Sequence, residues 1–239
     1  MRRYLILICL LVIGCGVEQG VPEGTSMVNE EVGVSRVVLS TEDGMGIVAS
    51  HYAAPSEVGI ILLHQLNLDR HSYDEFVGLL KEYNTISIDF RGHGESDGDW
   101  KEFSDDNFIA MQRDVAAAKN ALRESGSSKF VIIGASIGAN SAINFGAKED
   151  DVIGVGALSP GLVYRGIRSE HLVSEYTGNL LIVVSDEDQY SYESSQHLFE
   201  ASSAVKELKV YQNAGHGTNM FENTDLKVYL VQWVRKVVG

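Results

Sequence analysis

The segment Phe130–Asn140, FVIIGASIGAN, constrains this chain more than any other. An apolar β-run, Phe130–Ile133, enters Gly134-Ala135-Ser136-Ile137-Gly138, and small residues follow at Ala139, Ala142 and Gly146. This is a G-x-S-x-G pattern with a strand before it and a helix after it. A serine on so sharp a turn holds a strained backbone, and the residues two positions away on either side must be small for strand and helix to approach. The turn lifts the Ser136 hydroxyl out of the sheet, and the next helix aims its first N–H groups at the same place. In a chain with 24 glycines the five-residue pattern alone is weak. The flanking elements give it weight.

The rest of the chain supplies the sheet that such a turn needs. Val37–Leu39, a turn at Glu42-Asp43-Gly44 and Ile47–Tyr52 read as an opening hairpin. Val58–Leu63 is a continuous apolar run, as expected of a strand covered on both faces. The spacing of Phe76, Leu79 and Leu80 predicts a helix over Tyr73–Tyr83, and Thr85–Asp89 reads as a strand. A long helix is predicted over Asn107–Glu124, with Ile109, Met111, Val115, Ala118 and Leu122 near one side. After the serine turn come strands at Val152–Leu158, Leu180–Val184 and Leu208–Tyr211, and helices at Tyr192–Ser202 and Leu226–Val238. Alternation of this kind predicts an α/β fold with a mostly parallel sheet and helices on both faces. In such sheets the active site lies at the carboxyl ends of the strands. Ser159–Asn179 leaves room for a loop and one helix, not for a large cap domain.

A serine hydroxyl is a poor nucleophile until a base takes its proton and a third group orients that base. Two further strand ends offer these groups. Ala214-Gly215-His216-Gly217 follows the last strand, and the glycines leave the imidazole free to reach Ser136. Leu180–Val184 runs into Ser185-Asp186-Glu187-Asp188, which holds three acids.

Four motifs in order, Leu62-Leu63-His64-Gln65-Leu66, Asp89-Phe90-Arg91-Gly92-His93-Gly94-Glu95-Ser96, the serine turn and Ala214-Gly215-His216-Gly217, resemble the α/β-hydrolase superfamily. The likeness is to its lidless dienelactone-hydrolase-like and serine-aminopeptidase-like members, and it covers roughly residues 35–239. It implies that Ser136 is the nucleophile and His216 the general base, then acid. The implied oxyanion hole is the backbone N–H of Ile137 with that of Leu66. The family's acid follows a Gly-x-x-Asp pattern; Ser185 stands at the glycine here, and counting from it gives Asp188, with Asp186 and then Glu187 as alternatives. Gln65 occupies the position where the family usually has glycine. The resemblance implies no metal and no organic cofactor.

Other polar residues carry plainer expectations. His64, His93 and Arg91 are expected to organise loops, and Ser159-Pro160-Gly161, which continues a strand toward the site, is expected with Tyr164 and Arg165 to shape an acyl pocket. His51, His71, His171 and His197 have no partner pattern. Asp97-Gly98-Asp99 reads as a turn, since the remaining calcium-ligand spacing is missing.

The first residues read as a targeting segment. Arg2 and Arg3 precede an apolar run, Tyr4–Ile13, too short to span a bilayer comfortably. Val12-Ile13-Gly14-Cys15 resembles the bacterial lipobox, which implies a lipoprotein signal peptide over 1–14, lipidation of Cys15 and an exported, membrane-anchored domain. Residues 15–34 read as a tether and 35–239 as the hydrolase domain. Cys9 and Cys15 are the chain's two cysteines, so the mature protein would form no internal disulfide. A net charge of −14 without any basic stripe argues against nucleic acid as a partner.

Together these features predict a serine hydrolase acting through an acyl-enzyme on small or accessible carboxylic esters. The same triad can cleave amides. A non-catalytic binding protein of this fold is the alternative from another class, and it would usually have lost the serine or the histidine.

Overall fold

The computed structural model describes residues 33–239. The predicted signal segment, Cys15 and nearly all of the tether lie outside the described residues.

The chain opens with an antiparallel hairpin, β1 (Val34–Ser40) and β2 (Gly46–Tyr52), in register from Val34 opposite Tyr52 to Ser40 opposite Gly46. Then come β3 (Val58–Leu63), a 3-10 turn at Arg70–Tyr73, α1 (Asp74–Val77) and β4 (Asn84–Ile88). The middle of the chain forms α2 (Asp105–Ile109), α3 (Met111–Glu124), β5 (Lys129–Ala135), α4 (Ile137–Gly146) and β6 (Val152–Leu158). A two-residue-per-strand hairpin, β7 (Val163–Tyr164) and β8 (Ile167–Arg168), leads to α5 (Leu172–Glu175). The chain ends with β9 (Asn179–Ser185), α6 (Gln189–Ala201), β10 (Val205–Tyr211) and α7 (Leu226–Val238).

Eight strands form one sheet in the order β1-β2-β4-β3-β5-β6-β9-β10, with antiparallel pairing at β1–β2 and β2–β4 and parallel pairing elsewhere. The central strands are apolar throughout because both faces are covered. In β3, Ile61 and Leu63 face one core while Ile60 and Leu62 face the other. Phe130 and Ile132 of β5 join the first core, against α3 and α4; Val131 and Ile133 join the second, against α7. β4 and β5 lie on opposite sides of β3, so the chain reverses its direction of travel across the sheet there. The carboxyl ends of β3 and β5 flank the crevice where open α/β sheets bind ligands.

Two predicted helices differ from the observed elements. The helix expected over Tyr73–Tyr83 stops at Gly78, and Leu79 is 45% exposed; tight turns at Leu79 and Leu80 replace further helix. The helix expected over Asn107–Glu124 is broken at Ala110, and its first part begins at a capping box between Ser104 and Asn107. Phe108 takes the inward position of that first part, which turns the adjacent Ile109 outward. The segment after β6 forms the small β7–β8 hairpin as well as a helix.

Arg91 lies under the loop after β4. Its Nε and backbone N–H donate to Asp114 of α3, and its Nη atoms donate to Asp43 in the β1–β2 turn. Burial raises the Asp114 carboxyl to about 6, against the pull of Arg91. Arg113, an exposed residue, also reaches Asp43 and Glu42. Removing one partner of a buried pair strands the other charge, at a cost of about 3–5 kcal/mol, whereas an exposed pair contributes under about 1 kcal/mol. Arg91→Met is therefore expected to lower stability by about 3–5 kcal/mol in urea unfolding and Arg113→Ala by under about 1 kcal/mol; comparable losses would contradict this division.

Candidate active site

Ser136 sits between β5 and α4 with φ 54° and ψ −116°, a conformation rarely held by a residue with a side chain. Its backbone N–H donates to Leu158 O at 2.8 Å, and its carbonyl accepts from Ala139 and Asn140. The flanking glycines are steric necessities. A Cβ on Gly134 would overlap the Gly138 carbonyl, and one on Gly138 would overlap the carbonyl of Leu63 and lie 2.8 Å from that of His64. Their absence brings α4 against the ends of both β5 and β3.

Ser136 lines a cavity of about 260 Å³ together with Gln65, Leu66, Ile137, Tyr164, Arg165 and His216. The residues proposed for nucleophile, base and oxyanion hole thus share one cavity. His216 lies between Gly215 (φ 89°) and Gly217 (φ 59°), both in the left-handed region. Its Nδ1 is 2.5 Å from Asp188 Oδ2. Since a carboxylate accepts, Nδ1 carries a proton, which leaves Nε2 as the nitrogen able to accept one from a nucleophile.

The other acids of the Ser185–Asp188 run serve the backbone beside His216. Asp186 Oδ1 accepts from Asn213 N–H at 2.9 Å, Ser185 Oγ from Ala214 N–H at 2.9 Å and Glu187 Oε1 from Gly215 N–H at 2.7 Å. Four consecutive side chains from the last residue of β9 onward therefore grip four consecutive residues after β10. Ser159 completes the grip: buried at the end of β6 with φ 51°, it accepts from Gly217 N–H at 2.9 Å. Ser185, where the family pattern has glycine, supplies a hydroxyl that a glycine could not.

The loop after β3 is held by His64. Its Nδ1 meets Gln65 O at 2.8 Å and its Nε2 accepts from Phe90 N–H at 3.0 Å, so the ring is neutral with the proton on Nδ1. Full burial, with His93 nearby, depresses its pKa to about 4. His93 bonds Arg91 O through Nδ1 at 3.0 Å and stacks on Trp100. Gln65 turns its Oε1 toward Thr218, accepting from the backbone N–H at 3.0 Å.

The β7–β8 hairpin forms one wall. Arg165 (φ 47°) and Gly166 (φ 79°) make its two-residue turn, both left-handed, and the Arg165 guanidinium lies 5.6 Å from the centre of the Phe108 ring. Tyr164 sets its ring perpendicular to that of His216 and its hydroxyl 3.0 Å from Ser191 Oγ. Burial, with Asp188 adding to it, raises the Tyr164 phenol. Asn140 of α4 ties this wall to the serine helix, donating to Ile167 O and accepting from Gly161 N–H, each at 3.0 Å. The sequence marks Ser159 as a pocket residue and Ser185 as the counterpart of a family glycine, but the bonds made by Asn140, Ser159 and Ser185 carry no sequence signal, since their partners are remote in the chain.

The remaining four histidines lie elsewhere: His51 bonds Asn84, His71 pairs with Asp74, His197 pairs with Glu170, and His171 directly precedes α5. Asp97 accepts from Gly46 N–H and Asp99 caps the turn Trp100–Glu102. Among the described residues no group of three or more His, Cys, Asp or Glu is placed to hold a metal ion.

This arrangement has relatives among known folds. A family described as "alpha/beta hydrolase fold" matches residues 59–160. The esterase Pf2001 from Pyrococcus furiosus is similar over 87% of this chain and 94% of its own, with TM-score 0.75 and 20% identity. Est1E from Butyrivibrio proteoclasticus, solved with ferulic acid, is similar over 84% of this chain and 99% of its own, with TM-score 0.72 and 18% identity. A dienelactone hydrolase from Anabaena variabilis is similar over 85% and 95%, with TM-score 0.69 and 16% identity. No curated protein sequence matches significantly. The chain has the α/β-hydrolase fold, with the mostly parallel eight-stranded sheet and flanking helices expected from its sequence.

The neutral His64 makes stability depend on pH. Its folded pKa, about 4, lies below the ordinary 6.5. Between those values the unfolded chain binds the proton and the folded one does not, so stability is full above about 6.5 and falls as pH drops toward 4. The difference corresponds to roughly 3 kcal/mol. Asp114, raised to about 6 in the folded chain, works in the opposite sense below that pH, so the part due to His64 is read as a difference. Between pH 7 and pH 4 the urea midpoint of the wild type should fall more, or rise less, than that of His64→Gln, which can still accept from Phe90 N–H. An equal change in the variant would assign the effect to other groups.

Proposed function

We propose that this chain is a serine hydrolase that cleaves carboxylic esters through an acyl-enzyme. The observation that carries the reading is the meeting of Ser136 with an Asp188-oriented His216 in one cavity. His216 Nε2 takes the Ser136 proton as Oγ attacks the ester carbonyl carbon. The Ile137 and Leu66 backbone N–H groups hold the oxyanion. Collapse of the tetrahedral intermediate breaks the ester C–O bond, and His216 returns the proton to the departing alkoxide. Water then repeats the sequence on the acyl-enzyme and restores Ser136. The site chemistry assigns Asp188 the charge-stabilising role, because Asp186 and Glu187 are engaged by backbone N–H groups. The likeness in fold to esterases is consistent with this reaction.

The cavity of about 260 Å³, to which the short β7–β8 hairpin contributes Val163, Tyr164 and Arg165, suits a small acyl group or an accessible ester on a larger molecule. A p-nitrophenyl ester series from acetyl to dodecanoyl, hydrolysed by the domain beginning near Val32, should show activity falling with acyl length. Ser136→Ala should abolish it. Asp188→Asn should reduce kcat by about 10³–10⁴-fold, in the range such substitutions produce in a serine triad, and Asp186→Asn by far less. Undiminished hydrolysis by Ser136→Ala would refute the mechanism, and equal losses in the two aspartate variants would refute the choice of acid.

The reading includes a place of action. The lipobox-like Val12–Cys15, outside the described residues, supports export and lipidation at Cys15, with several acyl chains giving stable anchoring. Full-length protein expressed in a bacterium should fractionate with membranes, and Cys15→Ser should release it or leave it unprocessed. Wild-type protein that incorporates no labelled fatty acid, or a Cys15→Ser variant that incorporates as much as the wild type, would remove the lipid anchor from the proposal.

A further inference from the structure

The loop after β3 carries a side chain at Gln65 where the resembling family usually has none, and the structure gives that side chain a defined orientation. Gln65 is 7% exposed. Its Oε1 accepts from Thr218 N–H at 3.0 Å and from Thr218 Oγ at 3.3 Å. A backbone N–H can only donate, so the oxygen end of the amide must be the one facing Thr218. The nitrogen end then points the other way. Gln65 Nε2 has no acceptor among the described residues and is not sealed in as a buried orphan, and Gln65 borders the same cavity as Ser136, Ile137, Leu66 and His216. Space for this placement exists because residue 217 is glycine: a Cβ there would overlap Oε1.

We infer that Gln65 is a catalytic residue, its Nε2 amide donating a hydrogen bond to the substrate's carbonyl oxygen as a third member of the oxyanion hole. The inference rests on the serine-hydrolase reading above. A side-chain amide aimed where negative charge develops stabilises the transition state as a backbone N–H does, and its tether to Thr218 holds it there before the reaction, so little reorganisation is needed. The same tether joins the loop bearing Leu66 to the loop bearing His216.

The test uses paraoxon (diethyl p-nitrophenyl phosphate), whose phosphorus is attacked by the serine with loss of p-nitrophenolate, leaving a stable phosphoryl oxygen where the oxyanion would lie. In the wild type, Ser136 should be labelled and Ser136→Ala should not be. The side-chain amide proton of Gln65, identified by its loss in Gln65→Met, should move downfield in the NMR spectrum when the adduct forms. Gln65→Met should be labelled about 10²-fold more slowly, the scale expected when one oxyanion donor is removed. Gln65→Gly, which restores the residue usual in the family and needs no extra space, serves if the methionine variant does not fold. Amide signals that do not move on labelling, or a variant labelled at the wild-type rate, would overturn the inference while leaving the serine mechanism standing. A folded wild type that resists labelling would overturn both.

Discussion

The structure depends on a close approach between a helix and two strands. Helix α4 begins directly after Ser136, and the missing Cβ atoms of Gly134 and Gly138 let its first turn touch the ends of β5 and β3. Three things follow from that contact. The serine is forced into a left-handed backbone conformation that raises its hydroxyl; the unpaired N–H groups of the helix start lie beside it; and the loop leaving β3 is brought alongside. Strain of this sort persists only where the surroundings over-determine it. Here the surroundings are buried strands paired on both sides, with the Ser136 N–H itself bonded to β6.

Around that fixed point the remaining loops are held by side chains reaching backbone. Ser185, Asp186 and Glu187 bond three successive N–H groups before His216, and Ser159 and Gln65 bond the two after it. A loop gripped at five of its six successive N–H groups, from Asn213 to Thr218, has little freedom left to lose when a ligand binds, which is the condition for an imidazole to act without reorganising. The acidic run after β9 therefore serves mainly to build the loop, and a single member of it, Asp188, meets the imidazole.

Much of this could be read from the sequence, for a physical reason. The serine turn is a local steric problem whose solution, small residues at fixed offsets, is written in adjacent positions. The apolar runs of β3, β5 and β9 are equally local, because burial on both faces removes alternation. Choosing among Asp186, Glu187 and Asp188 required a pattern borrowed from resembling proteins, since three neighbouring carboxylates differ only in where their side chains reach. Ser159 and Tyr164 were legible as pocket residues, but what they and Asn140 bond was not, because each acts through a partner remote in the chain. The predicted helices failed where a tertiary choice overrode spacing. Gly78 ended one, and the inward turn of Phe108 set the face of another, leaving Leu79 and Ile109 exposed.

The charges are distributed to the same end. Behind the cavity, Arg70 is bound to buried Asp89 and to Glu95, and Asp89 also accepts the backbone N–H groups of Arg70 and Glu95. Arg91 likewise joins Asp43 and Asp114. Buried ion pairs are weak sources of net stability, because desolvation offsets much of their attraction. Their value here is directional: each fixes a loop that a neutral contact would leave looser. Around the proposed oxyanion position the donors can then be uncharged, the Ile137 and Leu66 N–H groups and Gln65, with the neutral ring of His64 bonded to the Gln65 carbonyl, while Arg165 lines the cavity from the β7–β8 hairpin. A full cation beneath the oxyanion position would hold a ground-state anion as readily as a transition state. Neutral dipoles aimed by a charged scaffold favour charge only as it develops, and on that argument the ion pairs belong outside the site and the amides within it.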